Sequence, residues 1–236
     1  DFSVADKTAV ARALDGIGLD YVEGGWPGAN PTDDAFFRAP PQLKRAKFTA
    51  FGMTRRPGRS VENDPGVAAL PDVKTDAVCM VGKTWDFHVD VALEIPHEEN
   101  VEMISDSIAH AADRVGEALF DAEHFFDGYK ANPEYAMQCV TAAMDAGARW
   151  IVLCDTNGGT LTDELVAIFE DTRDTLAADS DAPAITWGIH THNDAELAVA
   201  NAMAAVPARA RPVPATLNGH GARSANTTHA RAGPRP

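Results

Sequence analysis

Six short apolar runs, each followed by a stretch of helical periodicity before the next, constrain this chain more than any other feature. They are Tyr21-Val22-Glu23, Lys47 to Phe51, Ala77 to Val81, Glu117 to Glu123, Trp150 to Asp155, and Ala184 to Trp187 running into Gly188-Ile189-His190. Most lack the apolar–polar alternation of a half-exposed strand. Near-continuous apolar strands separated by helices predict a parallel sheet with covered faces. The intervening helices are expected near Ala9–Ile17, Thr32–Arg38, Pro65–Leu70, Glu98–Val115, Asn132–Ala146, Leu161–Ala178 and Ala195–Ala205. Ser3, with Asp6 at the third helical position, supplies a capping box for the first of them. Val213 to Leu217 is a candidate seventh strand, although Pro212 and Pro214 fit a central strand badly.

Polar residues recur just past the strand ends: Glu23, Glu123, Asp155-Thr156, His190 and His192. That distribution fits the rim of a (β/α)8 barrel, where every strand contributes to one site. A doubly wound sheet concentrates its site at one switch point, often behind a glycine fingerprint, and no G-x-G-x-x-G follows the first strand. The expected fold is therefore α/β, an incomplete TIM (β/α)8 barrel whose first strand is absent and whose last βα unit is poorly defined. Residues i and i+2 of a strand share a face, so His190 and His192 can reach one point. They can serve as a pair of metal ligands or be ordinary strand-end histidines.

Composition narrows the partners. The 236 residues carry a net charge of −15, from 20 basic and 35 acidic side chains. Such a field disfavours nucleic acid and anionic membrane surfaces. Cys79, Cys139 and Cys154 are odd in number and widely spaced, and read as buried free thiols of a cytoplasmic protein. No apolar run is long enough to span a bilayer. All 35 acidic residues precede Pro207, whereas Arg209, Arg211, Arg223, Arg231 and Arg235 follow it. The expected division is a partial catalytic barrel at 1–206 and a divergent or truncated end at 207–236.

Longer motifs then carry a family resemblance. Gly188-Ile189-His190-Thr191-His192-Asn193-Asp194 resembles the metal motif of the 2-isopropylmalate synthase, homocitrate synthase and hydroxymethylglutaryl-CoA lyase superfamily. Tyr21 to Pro31, Ala122-Glu123-His124-Phe125-Phe126-Asp127-Gly128-Tyr129-Lys130 and Asp155-Thr156-Asn157-Gly158-Gly159 resemble its citramalate synthase branch. The likeness runs from about Asp1 to Val206 and resumes weakly from Leu217 to Asn226.

The resemblance implies an acyltransferase that condenses acetyl-CoA with pyruvate, giving citramalate and CoA in the branched-chain (isoleucine) amino-acid pathway. It implies a divalent cation, manganese, magnesium or zinc, and a homodimer at full length. His190 and His192 match the family's metal histidines, and Asn226 an asparagine at or near the metal. Glu123 matches a carboxylate that helps with proton transfer or orients the reacting group, Glu23 a second rim carboxylate, and Thr156 a hydroxyl on the keto-acid carboxylate. The family's first strand, which supplies a metal aspartate and an arginine, has no counterpart here, nor do its C-terminal domains; Ala222 and Ala225 also depart from its pattern. The chain thus reads as an internal fragment. Alternatives are a sister synthase for a longer keto acid, a lyase, or an inactive metal-binding fragment. A metal-dependent hydrolase fits less well, because its H-x-H comes early in the barrel.

Overall fold

The computed structural model describes residues 2–70, 73–178, 185–211, 213–216, 218–219 and 226–228. Among them are six strands: β1 Tyr21–Glu23, β2 Lys47–Met53, β3 Ala77–Lys83, β4 Glu117–Glu123, β5 Trp150–Asp155 and β6 Thr186–Thr191. Every neighbouring pair is parallel, and the spatial order is β1-β2-β3-β4-β5-β6. A sheet that adds each strand on the same side never reverses, so it has no switch point and winds as a barrel wall.

The register sorts the strand residues onto two faces. Val22, Phe48, Ala50, Met80, Phe120, Leu153 and Ile189 point outward and join the main core beneath the helices. Cys79 and Leu119 point inward, where with Ala77 they form a second, smaller cluster against Tyr21, Phe51 and Trp150. That inner cluster shows the curl. β1 and β5 are four steps apart, about 19 Å in a flat sheet, yet the rings of Tyr21 and Trp150 lie with centroids 5.8 Å apart. The Tyr21 hydroxyl also donates to Glu117 Oε2 on β4 at 2.5 Å, and Lys47 of β2 pairs with the same carboxylate. The described strands therefore form a curled part of a (β/α)8 barrel.

The helices are α1 Val4–Gly16, α2 Pro31–Arg38, α3 Pro65–Ala68, α4 Asp86–His88, α5 His97–Arg114, α6 Phe125–Ala131, α7 Pro133–Asp145, α8 Thr162–Ala177 and α9 Ala198–Ala205. Ser3 and Asp6 make the expected reciprocal cap on α1. Asn30 and Asn132 cap α2 and α7, each followed by proline at the first helical position, where its missing N–H is no loss. Asp15, near the end of α1, accepts the backbone N–H groups of Lys44, Arg45 and Ala46, each at 2.8 Å, and so docks the loop leading into β2.

Several expectations change. α4, the π turn Val89–Leu93 that continues it, and α6 are additions, and α9 begins three residues later than its periodicity suggested. The candidate seventh strand is not one: residues 213–215 are irregular and Thr216 makes a single bridge to Thr228, with Leu217 outside the described residues. The two prolines withhold the N–H groups a ladder needs. Most of 220–236 likewise lies outside them. What is described of the preceding stretch packs on the barrel, with Ala208 and Ala210 buried and Arg211 N–H donating to the Trp187 carbonyl at 2.8 Å.

Candidate active site

Because Trp187 and Ile189 face the helices, His190 faces the concave side of the sheet, at the C-terminal rim. Past Thr191 the chain turns, and His192 N–H donates to the Asp155 carbonyl at 3.2 Å. The two imidazole centroids lie 5.2 Å apart. Gly158, at φ +63°, permits this turn: a Cβ there would stand 2.8 Å from the Asp194 backbone nitrogen and 2.9 Å from the His192 carbonyl carbon. Residues 226–228 return alongside β6. Thr227 N–H donates to the Thr191 carbonyl at 3.1 Å, and Asn226 bridges His192. This brings Asn226 Oδ1 to 3.2 Å from His190 Nε2. The weak C-terminal motif thus delivers its asparagine to the histidine pair, although Leu217 and residues 220–225 of that motif lie outside the described residues.

Two further groups stand at the same place. Asp121 of β4 puts Oδ2 3.3 Å from His190 Nδ1. Donor atoms of Asp121, Cys154 and His190 all fall within 4.8 Å of one another. Asp121 is 6% exposed, and its other oxygen is buried with no hydrogen-bond partner. Burial alone would lower the His190 pKa, but the hydrogen bond and charge of Asp121, helped by Asn226 and Glu23, turn the net shift upward. Glu23, at the end of β1, is open to solvent on one side and faces the concave space on the other. Loss of water there, and then the Asp121 charge, push its carboxyl up to about 7 against the pull of His190. Neither Asp121 nor Cys154 stood out in the sequence, because both lie inside apolar runs. The signal for Asp121 was its two-residue offset from Glu123, which puts both on one face.

Glu123 ends β4, two residues beyond Asp121, and Thr156 follows β5 on the same rim. Glu123 Oε2 pairs with Lys83 Nζ at 2.6 Å, with side chains 24% and 16% exposed. Lys83 ends β3 directly opposite Glu123 in register, and its role was not read from the sequence. Thr156 Oγ1 accepts the His124 N–H at 2.8 Å and fixes the turn where His124 takes a left-handed φ of +59°. The His124 ring lies 4.0 Å from that of His88, on which Trp85 stacks. Other side chains near the rim serve the fold instead. Phe125 and Phe126 are fully buried in the main core. Arg55 is 7% exposed, with Nε on Asp106 at 2.9 Å, so this arginine is not a free anion contact.

The donor set fits a divalent cation. With Nδ1 bonded to a carboxylate, a neutral His190 presents its Nε2 lone pair to the Asn226 amide oxygen, also an acceptor. Two acceptors 3.2 Å apart repel unless a proton or a cation lies between them. Two ligand atoms at right angles about one ion, each about 2.1 Å from it, stand about 3 Å apart. The residues that could hold the ion are His190, His192 and Asn226, with Asp121 and Cys154 beneath.

The HMGL-like family profile matches residues 1–231. The chain belongs to the HMGL-like family. It is 50% identical over 227 residues to the (R)-citramalate synthase of Aquifex aeolicus (strain VF5), covering 95% of this chain and 42% of that protein. Against the (R)-citramalate synthase of Geobacter sulfurreducens it is 49% identical over 227 residues, with the same coverage. The chain thus spans about two fifths of the length of these relatives. Among solved structures, the hydroxymethylglutaryl-CoA lyase of Pseudomonas aeruginosa superposes with a TM-score of 0.76 at 16% identity, over 96% of this chain and 76% of that one. That likeness confirms the barrel fold.

Proposed function

We propose that this chain is barrel sequence of an (R)-citramalate synthase, which joins acetyl-CoA to pyruvate. The observation that carries this reading is the 50% identity to the Aquifex aeolicus enzyme across 95% of the chain. The rim chemistry agrees with it. The acetyl methyl group loses a proton, its carbon bonds to the keto carbon of pyruvate, and water then cleaves the thioester, releasing citramalate and CoA. His190, His192 and Asn226 hold a divalent cation, magnesium, manganese or zinc. When bound, that ion polarises the keto-acid carbonyl as a Lewis acid.

Glu23 and Glu123 are the rim carboxylates assigned to proton transfer. Glu23 is the better placed of the two, because a carboxyl near 7 can both take and return a proton at neutral pH. That value belongs to the metal-free protein, and a neighbouring cation draws it down. Glu123 is held by Lys83 and orients the reacting group. Thr156, anchored to His124, stands at the keto-acid carboxylate. Residues 1–206 form the catalytic part and 207–236 its divergent end. Three buried free thiols fit a reducing compartment, the cytoplasm.

The test measures CoA release from acetyl-CoA by the full-length protein, with pyruvate against 2-ketoisovalerate and with added manganese or magnesium. Preference for pyruvate supports the assignment. Preference for the longer acid moves it to a sister synthase, and no release with either acid overturns it. The 236-residue chain alone is expected to bind metal and turn over little, since it spans 42% of the Aquifex aeolicus relative.

A further inference from the structure

Asp121 is a buried carboxylate to which no sequence motif gave a task. β4 and β6 are not neighbours: Asp121 is aligned with Val152, and His190 with Cys154, on the strand between them. In a flat sheet the two strands would be about 9.6 Å apart. The curl, and the short side chain of Cys154, let carboxylate and imidazole meet over β5 at 3.3 Å. A carboxylate 6% exposed with one oxygen unbonded detracts from folding stability. Its second oxygen reaches His190 on Nδ1, on the opposite side of the ring from Asn226. An anion at Nδ1 keeps the proton there and fixes the ring plane. It leaves Nε2 as a lone pair of raised basicity, aimed at Asn226.

We propose that Asp121 is the positioning residue of the metal site: it holds His190 in the Nδ1–H tautomer with Nε2 directed at the cation, and Cys154 is the small residue that gives it passage. The inference rests on the metal reading above. Asp121 meets the metal ligands through His190, so its removal should weaken the ion's binding.

Two measurements on the full chain decide it. Long-range ¹⁵N–¹H NMR of the wild-type, metal-free protein, at a pH above the titration of the His190 imidazolium, should show His190 as the Nδ1–H tautomer; the Nε2–H tautomer would overturn the proposal without any variant. Calorimetric titration with manganese or zinc should show D121N and C154L binding about 10–100-fold more weakly than wild type, the range for losing a histidine's partner carboxylate. A purely structural carboxylate would instead lower Tm, whereas D121N should keep or raise it. Wild-type protein that binds no metal defeats the metal reading, and the tautomer still decides the role of Asp121. Wild-type protein that binds metal while D121N binds equally well defeats this inference alone.

Discussion

Gly158→Ala puts the rim geometry under direct test. At φ +63° any L side chain is strained, by about 1–2 kcal/mol. The added Cβ would also lie 2.8 Å from the Asp194 nitrogen, 2.9 Å from Asp194 Oδ2 and 2.9 Å from the His192 carbonyl carbon. Two of these three neighbours are backbone and cannot rotate away, so the β5–α8 turn or the 192–194 segment must shift. Forced overpacking of this kind costs about 1–3 kcal/mol. The expected total is about 2–5 kcal/mol. Gly58→Ala is the matched control: its φ is +69° and nothing stands within 4 Å of its added Cβ. It should show the backbone part alone, about 1–2 kcal/mol. Urea unfolding followed by far-UV circular dichroism reads both as midpoint shifts at constant slope. Each kcal/mol should also lower Tm by about 2–4 °C in a chain of this size. Because the displaced backbone carries His192, G158A should also bind metal more weakly, whereas G58A should not. Equal midpoints for the two variants would refute the close approach on which the His192 placement rests.

Glu23 gives a pH dependence of defined sign. Its carboxyl is raised from about 4.5 to about 7 in the folded, metal-free chain. Its contribution to stability is therefore fully present below the unfolded value and is lost as pH rises through the folded one; E23Q should flatten that slope between pH 4.5 and 7, and an unchanged slope would refute the shift. Asp15 has the opposite sign. Backbone donors, first Ala46 and then Lys44, hold its carboxyl below the ordinary 3.8, so its stabilisation is present above that value and disappears as pH falls through the folded one. D15A should unfold at a lower temperature than D15N, which keeps an acceptor; equal Tm values would argue against the docking role. Burial raises the pKa of all three thiols. An aromatic disulfide reagent should find almost no reactive thiol in native protein at pH 8 and three per chain in denaturant, and a fast native phase would contradict their enclosure.

Much of this protein is legible in its residues taken one after another. The six strands, the capping box at Ser3 and the asparagine–proline helix starts at Asn30 and Asn132 are local: each depends on side chains within a few positions of one another. The H-x-H pair is local for the same reason, since the two-residue repeat of a strand alone puts both imidazoles on one side. α6 was less legible. Its seven residues include Gly128, a weak helix former, and what makes glycine necessary there is distant in sequence: a Cβ would lie 2.4 Å from the Thr84 carbonyl oxygen.

What no local pattern holds is which groups meet across strands. Glu123 read as one of several rim carboxylates, and only the β3–β4 register set Lys83 opposite it. Asp121 lay inside an apolar run and Cys154 read as a buried free thiol until the β5–β6 register set Cys154 beside His190 and the curl brought Asp121 to the same place. Local pattern therefore reached the six strands, their order, most of the helices between them and the histidine pair. Only the closure of the sheet, which depends on strand twist and on packing against the helices, decided that an aspartate on β4 touches a histidine on β6.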